Sequence, residues 1–212
     1  MRLALVLVGI LAISGLVLAY PTSLNVIPTA DLLDPGSLRM EFENDGYSRV
    51  FSADSEDYWL FEMAVGPRLE MGVDIYDAEE TNYMTNAKYA LVMESDRSPA
   101  VSFGALDIGE GGSPSYYLAA AKDFGRSRLH AGGIGNRHKA NPMLGWELEL
   151  TESSWLLFDW IDGEENYLTA GIYFETKSGP AFNFAFGFPN SSANSNLALV
   201  NVSWSWSSGW GR

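Results

Sequence analysis

The sequence predicts an all-β protein, an up-and-down antiparallel transmembrane β-barrel of about twelve strands. From about Ser37 onward the apolar residues recur at every second position, which places them on one face of a pleated strand. The runs are roughly nine to eleven residues long, about the length that a tilted strand needs to cross the hydrocarbon layer of a membrane. Tight connections alternate with longer ones, as periplasmic turns and outer loops do in bacterial barrels, and such barrels have an even number of strands.

The N-terminus has the pattern of a secretion signal. Arg2 precedes an apolar run over residues 3–18, and Val17, Leu18 and Ala19 end it in the manner of a cleavage site. The run is shorter than the roughly 20 residues that a membrane-spanning helix needs. We therefore expect a cleaved signal peptide over residues 1–19, an N-terminal periplasmic segment over residues 20–36, and the β-barrel over residues 37–208.

The strands of the barrel follow one another with short breaks. Gly66 and Pro67 make a turn between the second and third strands, and the last strand alternates most clearly, with Val202 and Trp204 on one face and Ser203 on the other. The alternating runs cover residues 38–42, 59–65, 69–75, 87–93, 101–105, 144–150, 157–160, 168–174, 182–186 and 200–206. The stretches 115–123 and 127–135 are rich in Ala and Gly and alternate less cleanly, but their length predicts two further strands.

The alternation also predicts which side chains face the lumen and which face lipid. The polar face carries small residues and many carboxylates, which suits a narrow lumen better than the surface of a soluble sandwich. The lumen-facing charged residues are expected to be Arg39, Glu41, Glu43, Glu62, Glu70, Asp74, Lys88, Lys122, Arg128, Glu147, Glu149, Asp159 and Glu175. Aromatic residues near strand ends are expected to form a girdle at the membrane interfaces, namely Trp59, Trp155, Trp160, Tyr167, Trp204 and Trp206.

The composition excludes several classes of function. The 212-residue chain has 13 basic and 27 acidic residues and a formal charge of -14, so it would repel a phosphate backbone and we expect no nucleic-acid partner. It contains no cysteine, which excludes disulfides, thiolate metal sites and a cysteine nucleophile. The charges expected in the lumen must either pair across the barrel or be hydrated, because unpaired charges are costly in a dry interior.

Candidate catalytic residues are few. Glu147 and Glu149 lie about 7 Å apart at the usual strand rise, a separation that suits an inverting glycosidase, but two hydrated lumen carboxylates are the simpler interpretation. His130, with Arg128 on the same face, invites comparison with a serine hydrolase, yet no nucleophile signature accompanies it. The carboxylates between Gly104 and Gly112 do not have the spacing of a calcium loop. We expect no enzymatic activity, no cofactor and no metal site.

Several short motifs resemble a known family. The stretch Asn25-Val26-Ile27-Pro28-Thr29-Ala30-Asp31-Leu32-Leu33, followed by Pro35-Gly36, resembles the opening segment of YjbH-type outer-membrane barrels. The later segments 100–109, 116–122, 128–135, 145–147, 158–163 and 166–173 occur in a similar order. The resemblance implies an outer-membrane barrel associated with exopolysaccharide production.

The expected function is therefore a porin-like, narrow, acid-lined pore in the bacterial outer membrane, or an envelope-structural accessory linked by resemblance to exopolysaccharide export. Its expected partners are the lipid bilayer, the outer-membrane assembly machinery, and either polysaccharide or small cations. A secreted soluble β-sandwich that binds carbohydrate through its aromatic residues is the alternative, because alternation alone does not distinguish a sandwich from a barrel.

Overall fold

The computed structural model of the chain describes residues 23–52, 55–77, 81–109 and 114–207. The expected signal peptide, residues 1–19, lies outside these residues. Within them the secondary structure is β, and no helix is long and apolar enough to cross a membrane. The twelve strands are β1 Ser37–Tyr47, β2 Ser55–Ala64, β3 Leu69–Asp77, β4 Thr81–Val92, β5 Ala100–Ile108, β6 Ser115–Asp123, β7 Ser127–Gly135, β8 Ala140–Thr151, β9 Ser154–Ile161, β10 Tyr167–Glu175, β11 Ala181–Pro189 and β12 Leu197–Ser207.

The strands form one closed antiparallel barrel in which each strand pairs with its neighbours in sequence. Closure is made by β1 and β12, which pair along their whole length from Ser37 opposite Ser207 to Tyr47 opposite Leu197. The predicted twelve-stranded up-and-down barrel is thus confirmed. The alternative of a two-sheet sandwich is wrong, because a single sheet closes on itself and leaves no free edge.

The two faces of the barrel differ as the alternation predicts. Outward-pointing apolar side chains are exposed, for example Leu129 at 48%, Leu144 at 54% and Phe188 at 53%. Inward-pointing side chains include charged groups that are almost completely buried, such as Glu70 and Asp159 at 2%. A soluble protein has the reverse arrangement, whereas a membrane barrel presents its apolar face to lipid.

We call the end at which β1 begins and β12 ends the proximal end, and the opposite end the distal end. The connections at the proximal end are residues 65–68, 93–99, 124–126, 152–153 and 176–180. One of them, 93–99, is longer than the predicted tight turns, but it is closed by a β-bridge between Ser95 and Ser98. The distal connections, such as 190–196, overlap with the proximal ones in length, so the difference between the two ends is smaller than the sequence suggested.

Candidate functional site

The most unusual feature of the barrel is that its lumen contains part of its own chain. Residues 23–36, which we call the plug segment, precede β1. The sequence predicts a periplasmic segment over residues 20–36, but residues 23–36 lie inside the barrel. Four apolar side chains of the plug segment are shielded from solvent, with exposed fractions of 2% for Leu24, 0% for Ile27, 3% for Ala30 and 4% for Leu33. Leu24, Ile27 and Ala30 join a cluster of small and apolar wall residues that includes Met143 and other members of the buried core.

The local sequence explains how the plug segment reaches the lumen. Gly36 adopts a φ of 79°, a left-handed conformation that glycine tolerates, and this turns the chain from the lumen into the barrel wall. The turn is held by the Gly36 N–H, which donates to the Ala64 carbonyl at 3.1 Å, and by the Ser37 N–H, which donates to the Asp34 carbonyl at 2.9 Å. Deeper in the barrel the segment folds back, with a β-bridge between Ser23 and Pro28.

Two glycines of the wall leave room for residues 24–27, which we call the tip of the plug segment. A Cβ atom at Gly145 would lie 2.4 Å from a methyl carbon of Leu24 and 2.7 Å from one of Ile27. A Cβ atom at Gly171 would lie 2.4 Å from the side-chain oxygen of Asn25. These distances are far below van der Waals contact, so a larger residue at either position would force these side chains of the plug segment to move.

At its tip the plug segment bonds to β9, β10 and β11. The Asp159 carboxylate accepts the backbone N–H groups of Val26 at 3.0 Å and Ile27 at 3.4 Å, and also the hydroxyl of Thr169. The Asn25 amide donates to the Thr169 hydroxyl at 2.9 Å and accepts from the Asn183 amide at 3.1 Å. The wall therefore satisfies backbone and side-chain groups that would otherwise be buried without partners.

Toward the proximal end the plug segment bonds to β3, β4, β5 and β7. The Leu33 N–H donates to Glu70 at 2.8 Å, and the Ser102 hydroxyl donates to the Ala30 carbonyl at 2.7 Å. The Lys88 ammonium donates to the Asp31 carbonyl at 2.8 Å. These bonds join residues between 37 and 72 positions apart in sequence, so only the closed barrel brings them together.

Asp31 is also the centre of a charged contact between the plug segment and the wall. The Arg128 guanidinium donates to both carboxylate oxygens of Asp31, at 3.1 and 2.5 Å, and to Glu94 at 2.7 Å. Such a forked contact fixes orientation as well as charge. Burial alone would raise the pKa of the Glu94 carboxyl, but the hydrogen bonds from the Asp123 N–H and from Arg128 outweigh it and hold the pKa below its usual range.

Arg39 and Lys88, two other basic residues of the lumen, are paired with carboxylates of the wall. Arg39 bonds to Glu41 and lies 3.6 Å from Glu62, and the Lys88 ammonium lies 3.1 Å from Glu70. Of the two outcomes that the sequence left open, pairing accounts for much of the buried lumen charge. Glu41 and Glu43 accept hydrogen bonds from the Asn201 amide at 2.9 and 2.7 Å.

Twelve of the thirteen residues predicted to face the lumen lie on the inward register of their strands: Arg39, Glu41, Glu43, Glu62, Glu70, Asp74, Lys88, Arg128, Glu147, Glu149, Asp159 and Glu175. Lys122 does not. It lies opposite Leu129, which is 48% exposed on the outer face, and its ammonium bonds to Glu94 and the Ser95 carbonyl at the proximal rim. The only other charged residue of the Ala-rich β6, Asp123, is the last residue of the strand, so the sequence contains little indication of which face of β6 is inward.

Four of the six residues predicted for the aromatic girdle lie on the outward face, and two do not. The outward register contains Trp59, Trp160, Trp204 and Trp206. Trp155 and Tyr167 instead lie on the inward register, since Trp155 pairs with the buried Tyr173, their rings 5.7 Å apart, and Tyr167 packs against the buried Leu197 and Leu199. Strict alternation from Asp159 would have placed Trp155 inside, so this correction was available from the sequence.

Two of the residues considered for catalysis, His130 and Glu147, contact each other. His130 and Glu147 are nearly completely buried, and the imidazole Nε2 lies 2.6 Å from a Glu147 oxygen. Within the described residues His130 has no hydrogen bond to a serine, so the hydrolase arrangement does not occur there. His138 lies exposed in the connection between β7 and β8, where its N–H donates to Asn136.

Sequence reasoning missed the residues that hold the plug segment, namely Asn25, Asp31, Ser102, Thr169 and Asn183. Most are small and uncharged. For Ser102, Thr169 and Asn183, which lie on strands, the period indicates only that they face inward, and Asn25 and Asp31 lie outside the strands. The available signal was the run of Gly and Ala on inward positions of several strands, including Ala119, Ala121, Gly145 and Gly171. Small inward residues leave a volume that something else must fill.

An open chamber of about 440 Å³ remains at the proximal end. It is lined by the plug segment on one side, at Asp31 and Leu33, and by wall residues that include Arg128, Glu147 and Trp155. Deeper in the barrel, a void of about 10 Å³ beside Leu24, Arg39 and Asn201 has room for about one water molecule.

Comparison with known proteins agrees with the fold. No protein-family model matches the sequence, and no curated protein matches it. A solved structure of the KdgM porin is similar, with a TM-score of 0.60 and 11% identity, over 79% of this chain and 99% of that one. A structure of the KdgM porin in complex with disordered oligogalacturonate gives a TM-score of 0.58 and 12% identity, over 80% and 99% of the two chains. The chain thus has the fold of a porin-type outer-membrane barrel, and the resemblance to YjbH-type barrels stays a prediction.

Proposed function

We propose that this protein is a bacterial outer-membrane channel with a narrow, acid-lined lumen that is closed by its own plug segment. The observation that carries the proposal is the complete shielding of Ile27 and Thr29, each 0% exposed, at the centre of the lumen. A continuous water-filled path past these residues would leave them partly exposed. Opening therefore requires displacement of the plug segment.

The outer surface supports a location in the outer membrane. Exposed apolar side chains such as Leu129, Leu144 and Phe188 cover the face that a soluble protein would make polar. The closed barrel satisfies its backbone groups internally, as a hydrocarbon environment requires. A cleaved signal peptide and the outer-membrane assembly machinery are the expected route to this membrane, with the proximal end facing the periplasm.

The charge distribution favours cations among the solutes of the opened channel. The inward-facing basic residues Arg39, Lys88 and Arg128 lie toward the proximal end and are bonded to carboxylates. Glu43 and Asp74 lie on the inward register nearer the distal end, and a ring of carboxylates disfavours anions. Although the KdgM porin has been seen with oligogalacturonate, an acidic sugar chain would be repelled here. A link to exopolysaccharide export would accordingly involve a neutral or cationic chain.

The test is planar-bilayer conductance of the refolded protein with the plug segment tethered or free. The natural chain has no cysteine, so the double variant Ala30→Cys with Ser102→Cys would contain a single possible disulfide. The Ser102 hydroxyl lies 2.7 Å from the Ala30 carbonyl oxygen, close enough for such a cross-link to be tried. The single variant Ser102→Cys is the matched control. A variant without residues 24–33 removes the plug segment altogether.

We expect rare openings in the wild type, none in the oxidised double variant, recovery on reduction, and steady cation-selective conductance without residues 24–33. Steady conductance in the oxidised variant would contradict closure by the plug segment. If no variant conducts, including the one without residues 24–33, the channel function is wrong. In that case the many direct bonds between plug and wall favour the envelope-structural role, in which the segment is a permanent part of the fold.

A further inference from the structure

Three potential metal ligands converge where the plug segment meets the wall. One carboxylate oxygen of Asp31, one of Glu147 and a ring nitrogen of His130 all lie within 4.8 Å of one another. Asp31 belongs to the plug segment, whereas His130 and Glu147 belong to β7 and β8 of the wall. These three residues are far apart in sequence, and the spacing contains no metal motif, which is why the sequence predicts no metal here.

Only one of the two ring nitrogens of His130 has a polar partner within the described residues. Its Nε2 lies 2.6 Å from Glu147, but its Nδ1 is buried and has no hydrogen-bond partner among the residues that the structure describes. The side chain is 2% exposed, and a buried polar atom without a partner costs free energy. The contact with Glu147 therefore satisfies only one of the two ring nitrogens.

The charge and access at the cluster suit a divalent cation. Two carboxylates and one neutral imidazole are a donor set that Zn²⁺ accepts, with water as the fourth ligand. Asp31 and Glu147 both line the 440 Å³ proximal chamber, which supplies a path and room for that water. Arg128 bonds to both oxygens of Asp31 and would orient it, as hydrogen bonds to a ligating carboxylate commonly do.

We propose that Asp31, His130 and Glu147 form a zinc-type site that joins the plug segment to the barrel wall. One ligand, Asp31, would come from the plug segment, and the other two, His130 and Glu147, would come from the barrel wall. Bound metal would consequently stabilise the plugged barrel. The existence of the site does not depend on the channel function, and only its effect on opening rests on that proposal.

The histidines of this chain make a matched pair of variants. The sequence contains two, His130 in the cluster and His138 in an exposed distal connection. We would titrate the tag-free refolded protein with Zn²⁺ by calorimetry and with Co²⁺ by visible absorption. The variants are His130→Gln, Asp31→Asn and His138→Gln, each checked for a folded barrel by its heat-dependent mobility on a gel.

We expect one Zn²⁺ per wild-type barrel and unchanged binding in His138→Gln. Binding should be at least about tenfold weaker in both His130→Gln and Asp31→Asn. Absence of Zn²⁺ binding by the folded wild type, or binding that His138→Gln removes and His130→Gln retains, would overturn the site. If Asp31→Asn binds like the wild type, the plug segment is not part of it. Zinc binding that leaves the rate of openings unchanged would count against the gate and leave the site intact.

Discussion

Replacing Asp159 with alanine should release the tip of the plug segment from the wall. This carboxylate is 2% exposed and accepts the N–H groups of Val26 and Ile27 as well as the Thr169 hydroxyl. Each buried donor left without a partner costs about 1–3 kcal/mol, so the two backbone groups together weaken docking by about 2–6 kcal/mol. At about 1.4 kcal/mol per factor of ten, the undocked population should rise by about 30-fold to 10⁴-fold.

Amide hydrogen exchange measures this release directly, because exchange at Val26 and Ile27 requires that their hydrogen bonds open. We expect exchange at these two positions to become at least about 30-fold faster in Asp159→Ala, while the amides of β1 remain protected. Asp74→Ala is the matched control. Asp74 is also an inward-facing carboxylate, but its hydrogen bonds come from the Asn86 side chain and not from the plug segment.

Unchanged exchange at Val26 and Ile27 in a folded Asp159→Ala barrel would refute the reasoning. Equal acceleration in Asp74→Ala would refute it as well, since loss of any inward carboxylate would then loosen the segment. Asp159→Asn retains one carbonyl acceptor and should lie between the wild type and Asp159→Ala.

Three further outcomes follow from the same structure. Gly104→Ala should lower the free energy of unfolding by about 1–3 kcal/mol, because its Cβ would lie 2.2 Å from the Tyr117 ring. Gly66→Ala should not, because its Cβ would meet no atom of the described residues within 4 Å. Ile27→Ala should cost about 2–5 kcal/mol in denaturant unfolding, because it empties a fully buried site. The lowered pKa of Glu94 stabilises the folded barrel above the ordinary value of 4.5, and this contribution is lost as the pH falls through the lower folded value. Unfolding midpoints measured against pH should show that loss in the wild type and not in Glu94→Gln.

Each of these three predictions has an outcome that would contradict it. Equal unfolding midpoints for Gly104→Ala and Gly66→Ala would mean that the Tyr117 ring moves aside without cost. A wild-type loss of stability at low pH that persists in Glu94→Gln would assign it to another carboxylate. An Ile27→Ala barrel as stable as the wild type would show that the plug segment contributes little to folding.

Much of the wall could be predicted from sequence because a strand is a local structure. Alternation between neighbouring residues was enough to place Glu41, Glu70 and Asp159 inward and Trp204 outward. It failed where the local pattern carried too little contrast, as at Lys122 on the Ala-rich β6. At Trp155 two sequence signals disagree. The preference of aromatic residues for membrane interfaces predicts a girdle position, whereas alternation from Asp159 predicts an inward side chain, and the structure follows the alternation.

The plug segment could not be predicted in this way. Its position depends on the diameter of the closed barrel and on contacts between residues far apart in sequence, such as Asp31 with Arg128 and Asn25 with Thr169. The sequence by itself determined the strand period, the twelve-stranded barrel and an acidic interior, because these follow from residues one or two positions apart. Only the tertiary structure decided that this interior is occupied, because the lumen and its contents exist only once β1 meets β12.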